Sequence, residues 1–188
     1  MNANLRVATF LAPNMPPVSE FLTDAIGREL GTGAELFVGA SFDQFADGEI
    51  DAGFICGLPY VKLSRQTPAP VEVLAAPVLS GDRYLGRPIY FSDVIVHRDS
   101  PFRTFADLRV IEVLGPSTIQ TVVVARHLPA DVKFAMRAVL LRMGDDPAGR
   151  DALAVGFVER LVPVTDGDYD DIRMTLMTAE QAGYLTIS

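Results

Sequence analysis

The residues able to do acid–base, nucleophilic or metal chemistry are few and widely spaced. His97 and His127 are the only histidines, and neither stands at a metal-ligand spacing from Cys56, the single cysteine, so a zinc site lacks its ligands. Cys56 ends the apolar run Asp51 to Cys56 beside Gly57, where a nucleophile could stand above a sheet. A thiol so placed is more often packing, and packing is the expectation. Asp166, Asp168, Asp170 and Asp171 alternate in the manner of a calcium loop, but the glycine and the closing glutamate are missing at the required offsets. Acids at a helix start, favoured by the helix dipole, account for them better. The chain has no Gly-x-x-x-x-Gly-Lys, no Gly-x-Ser-x-Gly and no Gly-x-Gly-x-x-Gly. The expectation is a protein with no catalytic residues, no metal and no cofactor.

Charge narrows the partners. The 188 residues carry 16 basic and 24 acidic side chains, a net charge of -8. A nucleic-acid backbone or an anionic membrane surface needs a clustered basic face, so neither is the expected partner. Small anions stay open. One cysteine cannot form an internal disulfide, which fits a reducing compartment without fixing one. Met1 to Arg6 runs directly into an apolar strand with no secretory pattern in the sequence given, and no stretch approaches the roughly 18 unbroken apolar residues of a membrane span.

Backbone-rich corners are what the chain offers instead of reactive side chains, and alternating elements must position them. Leu5 to Leu11 reads as a strand, and Val18, Phe21, Leu22, Ala25, Ile26 and Leu30 recur at helical spacing until Gly31. Ala34 to Gly39 is a second strand. Ser41 followed by Gln44 predicts a capping box for a short helix Phe42 to Asp47. Asp51 to Cys56 is a third strand, after which Gly57 turns the chain and Pro59 suits the first turn of a helix carrying Tyr60, Val61 and Leu63. This alternation predicts an α/β fold of three layers, a mostly parallel sheet with helices on both faces.

Further on, Val71 to Val78 and Ile89 to His97 read as strands, Thr104 as a cap for Phe105 to Arg109, and Val110 to Leu114 as a strand interrupted by Gly115-Pro116-Ser117. Ile119 to Ala125 follows, then helices over Val132 to Met143, from Asp145 to Pro147 onward, and from Thr165 and Asp168 to Gly183. In open parallel sheets ligands bind at the carboxyl ends of the strands. Three corners there stand out: Phe10 to Asn14, Ala40-Ser41-Phe42, and Cys56 to Tyr60. Each also reads as a turn and cap. Tyr60, directly after Gly-x-Pro, can point its hydroxyl into a cleft.

The opening Leu5 to Phe10, the stretch FDQFADGEIDAGFIC over Phe42 to Cys56, Gly57-Leu58-Pro59-Tyr60, YFSDVIVHRDSPFRTFADLR over Tyr90 to Arg109, and Val162 to Arg173 together resemble the phosphate/phosphonate-type substrate-binding proteins of ABC transporters. The resemblance covers most of the chain. It implies a type 2 periplasmic-binding fold, a small anionic solute as ligand, an ABC transporter permease as partner, and a periplasmic or cell-surface location. Position by position it implies ligand contacts from Tyr60, Tyr90 and Ser92, with Ser41, Gly57 and Leu11 at the strand ends; Leu11 stands where the family's first loop lines the cleft.

One departure accompanies it. Family members continue after the ADLR segment into a second α/β lobe that grips the anion, whereas here Arg109 meets Val110 directly. The expected organisation is one lobe over 1–188, with an N-terminal portion over residues 1–98, a hinge-like crossover 99–126 lacking the second lobe, and C-terminal helices 127–188. A ligand held by one wall stays half solvated, so affinity falls. Two other readings stand beside this one: a module that self-associates as a homodimer through the surface the missing lobe would cover, and a small enzyme using Cys56.

Overall fold

In the computed structural model, residues 4–11, 16–93, 101 and 113–184 are described. Short apolar runs become strands. The first is β1 (Leu5–Thr9), and the amphipathic α1 (Pro16–Leu30) lays Val18, Leu22, Ala25 and Ile26 against the sheet. Then come β2 (Ala34–Val38), a 3₁₀ turn Phe42–Phe45, β3 (Ala52–Ile55) and α2 (Gly57–Ser64). Beyond these lie β4 (Val71–Leu79), a 3₁₀ turn Asp82–Tyr84, β5 (Ile89–Asp93), β6 (Val113–Thr118) and β7 (Thr121–Ala125). The chain continues through α3 (Ala130–Arg142), α4 (Pro147–Val155), β8 (Val158–Pro163), a 3₁₀ turn Asp166–Tyr169 and α5 (Asp170–Gln181).

Six strands form one sheet in the order β2-β1-β3-β7-β4-β8. β2, β1 and β3 are parallel, joined by α1 and the Phe42–Phe45 turn, as the alternating pattern predicts. β7 inserts antiparallel to both β3 and β4, so β4 runs with the first three, while β8 opposes β4. Four strands thus share one direction and two oppose it. Helices cover both faces: α1, α3 and α4 bury Ile26, Met136, Leu140 and Leu153 on one, and α2 and α5 bury Val61, Tyr169 and Leu176 on the other. The three-layer α/β expectation therefore holds, with a mixed sheet.

Two expectations need correction. Gly115-Pro116-Ser117 does not interrupt a strand but lies inside β6. A two-stranded ribbon leaves each strand one outer edge where a missing proline N–H does no harm, and Gly115 takes φ +120, which only glycine adopts without strain. The region 127–188 is not helical throughout, because β8 lies within it and pairs with β4 as an edge strand. Its buried residues Val158 and Leu161 stand three apart across charged Glu159 and Arg160, where the register with β4 shifts, so the run shows no period-two alternation. Thr104, Phe105 to Arg109, Val110 and the Arg109–Val110 junction lie outside the described residues, as does the predicted strand beyond Asp93.

Candidate functional site

The parallel trio delivers its carboxyl ends to one edge. Leu11 follows β1, Ser41 follows β2 and Gly57 follows β3, and backbone bonds draw these exits together: Phe10 N–H donates to Phe54 O (3.0 Å) and Gly39 N–H to Thr9 O (3.1 Å). Phe10 wedges between them, 4.4 Å from the Phe42 ring and 6.1 Å from Phe45. Ser41 is exposed and caps the following turn, its hydroxyl accepting from Asp43 N–H at 3.2 Å. Gln44 returns the contact, accepting from the N–H groups of Ala40 and Ser41 at 2.9 and 3.1 Å, so the capping box forms as predicted.

Leu11 is half-buried and lines an apolar cavity of about 30 Å³ with Val18, Leu22, Phe54, Val122 and Leu153. Gly57 is buried at the first position of α2. A Cβ there would collide with the Ile172 side chain, so its lack of a side chain lets α5 close on α2.

β5 and β6 form a separate ribbon whose base adjoins this edge, since Thr118 is followed almost at once by Thr121, where β7 enters the sheet. Tyr90 and Ser92 sit on β5 and are exposed. The structure thus places Leu11, Ser41 and Gly57 at one end of the sheet and Tyr90 and Ser92 on the separate ribbon that joins it there through Thr118.

A family model described as an ABC transporter, phosphonate, periplasmic substrate-binding protein matches residues 17–121, more than half of the chain. The chain belongs to this family. The resemblance read from the sequence is thereby borne out. Among solved structures, a binding protein component of an ABC phosphonate transporter from Pseudomonas aeruginosa has a TM-score of 0.73 at 11% identity, covering 92% of this chain and 85% of that one. PhnD1 from Prochlorococcus marinus, in complex with methylphosphonate, has a TM-score of 0.65 at 10% identity, covering 93% and 97%. A Xanthomonas citri protein bound to ATP has 0.66 at 12%, covering 97% and 98%. At such identities the likeness is one of fold. No curated protein matches the chain significantly by sequence.

Within this substrate-binding-protein fold Tyr60 sits differently from its neighbours in the expected set. It is 3% exposed, its ring lies edge-on to Tyr169 at 4.7 Å, and its hydroxyl donates to Asp166 Oδ1 at 2.6 Å. Burial, reinforced by that bond and by the Asp166 charge, pushes its phenol well above the ordinary value. The hydroxyl expected to face a cleft is committed to the C-terminal segment instead.

The acidic run is likewise engaged. Asp166 and Asp170 pair with Arg173, Asp168 accepts from the Thr165 N–H (2.7 Å) as a cap, and Asp171 accepts from the Thr118 N–H (2.7 Å). No group of acids, histidines and cysteines able to hold a metal occurs among the described residues.

Cys56 is the N-cap of α2 and is exposed, contrary to the packing expectation, yet desolvation raises its thiol pKa, the opposite of what an activated nucleophile needs. Sequence reasoning missed Asp166, Thr118 and Asp171 as partners, because nothing local marks them. The family is one of transporter substrate-binding proteins, not enzymes.

Proposed function

We propose that this chain binds a small phosphonate- or phosphate-like anion for an ABC importer and catalyses nothing itself. The site is the carboxyl edge of β1, β2 and β3: Leu11, Ser41, the backbone at Gly57, and Tyr90 and Ser92 on the adjoining ribbon, with Tyr60 supporting α2 from beneath. The observation that carries this reading is that the family match over 17–121 spans β2 to the start of β7 and takes in every residue named for this site except Leu11, which follows β1 outside the match. Its place of work is the periplasm or cell surface, as in the family.

The ligand meets one wall. Only residues 94–112 separate β5 from β6, too few for a lobe with a core of its own. We read the chain as one lobe over 1–188 whose expected crossover, 99–126, ends in β7 on its return to the sheet, and its solute as partly hydrated and weakly held. Thermal shift over phosphate, phosphite, alkylphosphonates and sulfonates tests this. A ligand at a hundredfold excess over its Kd adds about 2.7 kcal/mol of stability, and Tyr90→Phe with Ser92→Ala should lessen the shift. Flat midpoints with every anion at millimolar concentration would sink the proposal.

A second reading rests on the exposed apolar ribbon, where Tyr90 is 41%, Val113 47% and Leu114 54% accessible. Such a surface favours a homodimer. Concentration-dependent mass in light scattering, indifferent to anions, would support it.

A further inference from the structure

Among the described residues, the ribbon of β5 and β6 shares no strand pairing with the main sheet. Two strands alone are marginally stable in water, so the ribbon's position depends on its ties to the body. At its base, Ile119 N–H donates to Pro88 O at 3.0 Å. The densest tie is at Thr118, which is 7% exposed. Its N–H donates to Asp171 Oδ2 at 2.7 Å, and its hydroxyl donates to the Asp168 carbonyl at 2.5 Å with Asp171 Oδ1 3.2 Å away. The second Asp171 oxygen also accepts the Ile172 N–H at 2.7 Å. An ionised carboxylate bound to two backbone donors is a strong, directional anchor.

The helix that carries Asp171 is fixed in turn to the floor of the candidate site. Ile172 packs on Gly57 at the start of α2, Arg173 Nη2 donates to Ser64 Oγ at 3.2 Å, and Glu180 pairs with Arg65 at 2.7 Å. One helix therefore touches both α2 and the ribbon.

We propose that Asp171 is a positioning residue: through Thr118 it sets the ribbon, and with it Tyr90 and Ser92, against the edge formed by β1, β2 and β3. A displacement of the ribbon has to break the Thr118 bonds together. The consequence for anion affinity rests on the function proposed above; the mechanical tie does not.

Amide hydrogen exchange on the full chain tests it. Asp171→Asn should speed exchange across Val113–Thr118 about tenfold, as expected for loss of a charged acceptor, and Thr118→Val, which loses the hydroxyl bond to the Asp168 carbonyl, about fivefold, while β1 and β7 keep the parent rates. Combining the two should be faster than either single variant, because Asp171→Asn weakens the acceptor of the Thr118 N–H while Thr118→Val removes the hydroxyl bond to the Asp168 carbonyl, and only the 3.2 Å hydroxyl contact to Asp171 is shared. Thr118→Ser, which keeps the hydroxyl and the N–H, should restore near-parent exchange. Acceleration confined to α5 would make Asp171 a local cap only, and uniform acceleration would make it a general stabiliser; either overturns the proposal. Where an anion shifts the parent midpoint, both variants should shrink that shift. If no anion shifts the parent, the binding function falls while the exchange pattern still decides the role of Asp171.

Discussion

At the carboxyl edge of the sheet, Ser41, Tyr90 and Ser92 are open to water, whereas on the flank where α2 meets α5 groups of the same kinds are buried and paired with one another. Tyr60 and Tyr90 make the contrast sharpest. Both are tyrosines on elements that lead from the same edge, yet one is sealed against Tyr169 and bonded to Asp166 while the other stands in solvent. A buried hydroxyl must find a partner inside the protein, and the one proton that Tyr60 gives to Asp166 is not there to donate to an anion. Capacity to bind therefore belongs to the edge, and capacity to hold that edge in place belongs to the flank.

The largest effect that would break this division is in the core of the flank. Tyr169 is fully buried, and Tyr169→Ala should cost about 3–5 kcal/mol, whereas Tyr90→Ala should stay within about 0.5 kcal/mol. For a domain of this size the first corresponds to a midpoint lower by roughly 6–20 °C. Comparable losses in thermal denaturation would show that the ribbon belongs to the core after all.

A smaller effect separates the hydroxyl of Tyr60 from its ring. Tyr60→Phe keeps the packing and removes one hydrogen bond, a loss of about 1 kcal/mol. It should leave any anion-induced shift in place. The pH profile sharpens the point. The folded-state pKa of Tyr60 lies above its ordinary value of 10.0, first through burial and then through the bond to Asp166, so the folded protein holds this proton more tightly than the unfolded chain. The corresponding stability is complete below pH 10 and declines as pH rises beyond it. Burial raises Tyr169 in the same direction. Midpoints measured from about pH 8 to 11 should fall at the alkaline end, and less steeply in Tyr60→Phe; an unchanged slope would mean that the phenol is not held as described.

What could be read from the sequence follows the range of the interactions involved. The first three strands and α1 were legible because periodicity is local, and the Ser41–Gln44 capping box because its partners stand three residues apart. Proline and glycine signals misled at β6, since a ribbon edge tolerates what a central strand does not. Positions at the edge followed from strand order, but the state of each side chain did not. Tyr60 meets Asp166 across 106 residues, and Thr118 meets Asp171 across 53. Nothing near Tyr60 in sequence announces that its hydroxyl has a partner. The acidic run was legible as a helix start, not as four separate attachments.

The smallest expected effect concerns the ribbon's other anchor, which lies wholly at the surface. Arg83 in the 3₁₀ turn Asp82–Tyr84 donates two bonds of 2.9 Å to the Asp93 carboxylate at the end of β5, and its guanidinium stands 4.7 Å over the Phe91 ring. The bonds from Arg83 hold the Asp93 carboxyl below its ordinary value, so the tie is intact above that value and is lost as pH falls through the folded pKa. Exposure and salt screening keep its worth low. Arg83→Lys keeps the charge but loses the fork and the stacking. It should leave the global midpoint unmoved and speed exchange in Ile89–Asp93 only about twofold, with high salt producing the same change in the parent. If instead Arg83→Lys loosened the ribbon as strongly as Asp171→Asn, the Arg83–Asp93 pair and the Asp171 tie to buried Thr118 would be equal anchors, and the division between a solvated edge and a flank that holds it would fail at the ribbon.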